Sequence, residues 1–136
     1  MTVETEHSRK YDAIRAEFPG VVTKGFECDV GWLPILREFF SVVRRMIPAG
    51  RERDFVLLQV KEKLAGLRIY FRLADSLPDA AKAAIYDDYS VAEARAAVTC
   101  EVCGQPGVFR SQNGWLLTRC EDHAEGGIPV PPPEAT

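Results

Sequence analysis

The sequence predicts an α+β fold in which helices pack on a β-hairpin and a smaller, cysteine-bearing hairpin closes the C-terminal end. Three observations predict it. Apolar residues recur every three or four positions across residues 32–47; apolar and polar residues alternate across 55–73 around a glycine; and three of the four cysteines fall within 99–124. At 136 residues, 46% of them hydrophobic and 27% charged, the chain suffices for one self-supporting core and argues against general disorder. The expected layout is a single domain over 1–126, including the cysteine hairpin at 99–124, and a flexible proline-rich tail over 127–136.

Residues 8–18 read as a short amphipathic helix, with Tyr11, Ile14 and Phe18 on one side, Ser8 as its cap, and Pro19-Gly20 ending it. The next helix, 32–47, carries Trp32, Leu36, Phe39, Val43 and Ile47 as its stripe. Pro34 sits in its first turn, where a missing N–H costs nothing, and Pro48-Ala49-Gly50 closes it. The period then drops to two. Across 55–63, Val56, Leu58 and Val60 are expected on one face and Phe55, Leu57, Gln59, Lys61 and Lys63 on the other. After Leu64-Ala65-Gly66, Leu67, Ile69, Phe71 and Leu73 oppose Arg68, Tyr70 and Arg72, so the stretch reads as a hairpin with glycine in its turn. Ser76 is the expected cap of an alanine-rich helix reaching residue 98, with Ile85, Tyr89 and Ala92 inward.

The opening MTVETEHSRK lacks a signal peptide's apolar centre, and no run approaches the roughly 18 apolar residues of a membrane span, so a cytoplasmic location is expected. In a reducing compartment, cysteines spaced as Cys-x2-Cys favour metal or redox chemistry over disulfides. Cys100-x2-Cys103 and Cys120-x2-His123 form two ligand pairs at the spacing of structural zinc sites. The Asn113-Gly114 turn between residues 108–111 and 115–119 would bring the pairs face to face. Knuckle, hairpin and helix start, in that order, resemble a treble-clef zinc finger. Four protein ligands leave no open position for water, so the expected cofactor is a structural Zn²⁺. A redox pair needs a strand-to-helix setting, whereas a helix precedes this one and a hairpin follows it. Cys28 is read as a buried core cysteine, with replacement of His123 as a fourth thiolate the alternative.

A broader pattern runs through Cys28-Asp29-Val30-Gly31-Trp32, the stretch QVKEKLAGLRIY from Gln59 to Tyr70, Cys100-Glu101-Val102-Cys103-Gly104, Gly114-Trp115 and Cys120-x2-His123. In this order the chain resembles a group of small phage and bacterial proteins without an assigned activity, which implies a phage or prophage origin and carries no activity across. Members of that group usually carry Lys-Phe-Gly-Gly-Leu-Arg at the hairpin; here Leu64 and Ala65 stand where Phe and the first Gly would be.

The net charge of −3 conceals a basic middle: residues 37–72 hold nine basic and four acidic side chains. Gln59, Lys61, Lys63, Arg68, Tyr70 and Arg72 share one predicted hairpin face, which suits phosphate contact and base stacking or, alternatively, a merely solvated sheet face. Trp32 and Trp115, each following a glycine, are read as core anchors, and the adjacent pairs Asp87-Asp88 and Glu121-Asp122 as solvated. The expected function is a small non-enzymatic, zinc-stabilised interaction protein whose macromolecular partner is a protein in preference to nucleic acid, with no membrane. Nucleic-acid binding by the basic hairpin face is the first alternative. A treble-clef nuclease is the second, and it is short of histidines: only His7 accompanies His123.

Overall fold

The computed structural model describes residues 5–132. Helix α1 (Glu6–Glu17) starts two residues earlier than its apolar spacing suggests. Its cap is Thr5, whose hydroxyl accepts the amide of Ser8, so Ser8 lies inside the helix. Strand β1 (Phe26–Glu27) follows, and a 3-10 turn at Val30–Trp32 leads into α2 (Leu33–Met46). All five stripe residues of α2 and its flanks, Trp32, Leu36, Phe39, Val43 and Ile47, are buried. Pro34 occupies the first turn as expected.

Strands β2 (Phe55–Lys63) and β3 (Gly66–Leu73) form the antiparallel hairpin, and β1 adds to β2 in parallel, giving the order β1-β2-β3. The face assignment along β2 needs a correction. Leu57 pairs with Phe71 and Gln59 with Tyr70, so Leu58 is the extra residue of a bulge. One inserted residue reverses which positions face inward. Phe55 and Leu57 are therefore buried before the bulge and Val60 after it, while Val56 and Leu58 are 41% and 44% exposed. On β3, which carries no bulge, Leu67 and Ile69 point inward as read from the alternation.

The turn also differs from expectation. It consists of Leu64 and Ala65 alone, both at positive φ (52° and 70°), and Gly66 is already paired with Lys63. A two-residue hairpin needs that left-handed pair to match the strand twist. One local and one tertiary hydrogen bond hold it without glycine: the Glu62 carboxylate accepts the Ala65 amide at 2.7 Å, and the Ala65 carbonyl accepts the Thr118 hydroxyl at 2.8 Å.

Helix α3 (Asp79–Ala96) packs on α2 and along β3, where the Ile69 amide donates to the Tyr89 hydroxyl at 3.3 Å. Ile85 and Ala92 are buried and Tyr89 packs against the core. Ser76 does not cap it; Pro78 holds that position, and the Ser76 hydroxyl accepts Arg51 instead. Asp88 is half-buried rather than solvated; burial and the nearby Glu38 raise its carboxyl above the usual range.

A second sheet, order β5-β4-β6, comprises β4 (Val108–Gln112), β5 (Trp115–Arg119) and β6 (Ile128–Pro129). The Asn113-Gly114 turn between β4 and β5 forms as predicted. The start of the expected flexible tail is thus a strand, and Val130 also donates to the Phe109 carbonyl. No described helix is long and apolar enough to cross a membrane.

Between the first sheet and the helices lies an aromatic core with Phe39 at its centre, its ring 5.4 Å from Phe40, 5.7 Å from Phe71 and 6.3 Å from both Phe55 and Tyr89. Edge-to-face and tilted pairs of this kind add to ordinary apolar burial. Phe39→Ala is therefore expected to lower unfolding free energy by about 3–5 kcal/mol in denaturant titration. A loss below about 1 kcal/mol would show that the core does not depend on this ring.

Candidate metal centre

The chain leaves α3 at Ala96 and reaches Cys100 after a single turn, where Gly104, at φ 81°, returns its amide to the Cys100 carbonyl. This curl forms the first ligand pair. The β4-β5 hairpin then delivers Cys120, which caps a 3-10 turn over Glu121–His123 and so aligns its thiol with the imidazole. No α-helix follows that turn among the described residues.

The ligand atoms of Cys100, Cys103, Cys120 and His123 all lie within 4.8 Å of one another, with no disulfide among them. Cys103 Sγ and Cys120 Sγ are 3.7 Å apart; His123 Nδ1 is 3.2 Å from Cys120 Sγ and 3.9 Å from Cys100 Sγ. Tetrahedral coordination with metal–sulfur bonds of about 2.3 Å and metal–nitrogen bonds of about 2.0–2.1 Å puts ligand atoms roughly 3.6–3.8 Å apart. The spacings of 3.2, 3.7 and 3.9 Å lie near those edges and no pair exceeds 4.8 Å, so the four side chains are close enough to converge on one metal ion. Burial opposes ionisation of Cys100, but amides of Cys120, Cys103 and Val102 outweigh it and bring the thiol to about 7, favouring the thiolate that a metal needs. Cys28 lies outside the cluster, packed against the core. His7 is exposed in the first turn of α1 and is likewise outside it.

Backbone contacts tie this centre to the helical body. The Gly31 amide donates to the Glu101 carbonyl at 2.6 Å, the Asp29 amide to the Glu101 carboxylate at 3.0 Å, and the Trp32 indole to the Thr99 carbonyl at 2.9 Å. Burial, together with the Glu62 and Asp29 carboxylates, raises the Glu101 carboxyl above its usual range, against the Asp29 amide that lowers it. Trp32 is the core anchor expected of it. Trp115 is not: placed at the hairpin tip beside Gly114, it is 69% exposed. What buries the hairpin instead is Thr118, with the Ala65 contact on one side, and Leu117 on the other. An alternation reading of 115–119 around the Asn-Gly turn leaves position 115 next to the tip, and that signal was available.

The six predicted macromolecule-binding residues do share a face. Cross-strand pairs Gln59–Tyr70, Lys61–Arg68 and Val56–Arg72 lie opposite the buried set, with Lys63 beside the turn. Lys63, Tyr70 and Arg72 are exposed and the other three half-buried. Gln59 donates to Glu27 at 2.6 Å and Arg68 lies 3.7 Å from Glu93, so part of this polarity is satisfied internally. Elsewhere a groove of about 1100 Å³ runs between α1, α2 and the Val102–Gly104 knuckle, but its charges are mixed, and Glu17 already pairs with Arg37.

No family model, curated protein or solved structure matches this chain.

Two outcomes follow from this geometry. A methyl group at Gly31 would overlap the carbonyl oxygens of Cys100 and Glu101, whereas one at Gly25 meets only the end of the Arg15 side chain. Gly31→Ala should cost about 1–3 kcal/mol of stability and weaken metal retention in a chelator competition, with Gly25→Ala within about 0.5 kcal/mol of the parent. Equal retention by both variants would contradict the close approach. The second concerns Cys28, whose thiol is pushed up to about 12 by burial and by the Glu101, Asp29 and Glu62 carboxylates. At pH 8 that leaves roughly a thousandth of the thiolate of a group at 9, so iodoacetamide should modify Cys28 in the native protein about a thousandfold more slowly than a free thiol. Modification at the free-thiol rate would contradict it.

Proposed function

We propose that the chain is a small, non-enzymatic, zinc-stabilised interaction protein that binds another macromolecule through the open face of the β2-β3 ribbon. The observation that carries the reading is the pairing of a closed Cys3His cluster with a docked ribbon. The cluster offers four protein ligand atoms within 4.8 Å of one another, three of them sulfur, which supports zinc as the metal and a holding role for it. Its knuckle, hairpin and 3-10 turn support a treble-clef-like description in which the terminal helix is reduced to one turn. Thr118 of this unit supports the ribbon turn, so the metal acts on the binding face by fixing its base.

The second reading, nucleic-acid binding, is favoured by one feature: Tyr70, 40% exposed, stands among Lys61, Arg68 and Arg72 on the same face. Lys61, Lys63, Arg68 and Arg72, four cations engaged with single-stranded phosphates, would make affinity fall about 50-fold between 50 and 200 mM salt.

Protein purified natively, without added metal, is expected to hold one equivalent of zinc by mass spectrometry and to bring a macromolecule with it. Lys61→Glu with Arg68→Glu should release that macromolecule while leaving the zinc in place. A folded, metal-free chain would contradict the zinc assignment, and a partner retained by the double variant would contradict the ribbon face.

A further inference from the structure

Resting on that reading, we infer that the ribbon's partner is a protein with an acidic rim around an apolar pocket, and that the pocket receives Leu64 at the tip of the β2-β3 turn. Leu64 is held at φ 52° and is 65% exposed. A branched aliphatic side chain in the left-handed region is disfavoured, and so is its exposure to water. The two-residue turn requires the left-handed backbone but not an exposed leucine in it: the turn is anchored through Ala65, which is 4% exposed and makes both hydrogen bonds, while Leu64 is left in solvent. Backbone strain that the surroundings enforce, combined with an apolar group turned outward, is the arrangement of a presented contact rather than of a turn optimised for stability.

The surroundings specify what is contacted. Lys63 precedes Leu64, and Lys61 stands further along the same strand face; among the described residues neither forms an ion pair. A partner bringing carboxylates would meet them without displacing an internal carboxylate. The exposed apolar groups on the ribbon itself, Leu64, Leu58 and Val56, are aliphatic, with Tyr70 the one exposed ring on its two strands; Tyr86 of α3, against Phe71, is a second ring beside it. Aliphatic groups gain by burial in an apolar protein pocket, whereas bases are held chiefly by stacking on rings. The balance favours a protein over a nucleic acid.

The test uses a displayed library of random 12-residue peptides selected on the full, zinc-loaded chain, with a single-stranded dT20 oligonucleotide as the competing probe. The expected peptides combine Asp or Glu with large apolar residues. They should bind about tenfold or more weakly to Leu64→Gly and to Lys61→Glu/Lys63→Glu, even though Leu64→Gly, relieved of strain, melts at the same or a higher temperature than the parent. A stabilised variant that loses binding separates a presented contact from a structural role. Peptides bound equally well by Leu64→Gly would overturn this inference and leave the interaction-protein reading standing. Oligonucleotide binding lost in Lys61→Glu/Arg68→Glu, with no peptide recovered, would replace the protein partner by a nucleic acid. Recovery of neither would overturn both.

Discussion

The backbone of Gly31 lies against the carbonyls of Cys100 and Glu101, and most of what is distinctive in the molecule depends on that approach. Only a residue without a Cβ permits it. Because Gly31 immediately precedes Trp32, the same contact fixes the entry of α2, whose apolar stripe forms one side of the core. The metal centre is thus built against the start of the main helix, and four ligands whose sequence positions span 24 residues act on a segment some seventy residues earlier.

A second connection runs from Thr118 to Ala65. Together the two links clamp the C-terminal hairpin to both ends of the α/β body, at the start of α2 and at the turn of the ribbon. With zinc as the proposed metal, binding there would add to folding energy on the order of 10 kcal/mol, as at structural sites. Such a reserve makes it physically reasonable for the ribbon turn to carry two non-glycine residues in the left-handed region, each costing about 1–2 kcal/mol. On that proposal, stability would be supplied at the cluster and strain tolerated at the surface.

Much of this was legible in the residues. The helical period located α2 and alternation located β2 and β3, though the Leu58 bulge shifts the buried set of β2, while the alanine-rich run located α3. The ligand set was legible because metal chemistry restricts residue type and spacing together. The failures have other causes. The turn of Leu64 and Ala65 and the uncapped start of α3 involve partners distant in sequence, Thr118 for Ala65 and Arg51 for Ser76, and the Leu58 bulge is a register shift that strict alternation does not anticipate. Trp115 misled because an aromatic after glycine suggests burial, yet its register next to a hairpin tip places it in solvent. The role of Gly31 had no local signature, since the carbonyls it meets belong to residues 100 and 101.

The clamp is tested most directly by amide hydrogen exchange on the zinc-loaded chain before and after chelation. Loss of the metal is predicted to raise exchange not only across 99–124 but also at 29–33 and 62–67, the two segments that the hairpin grips, while the centre of α2 remains protected for longer. An increase confined to 99–124 would show that the hairpin is an appendage and that the body holds its ribbon without it.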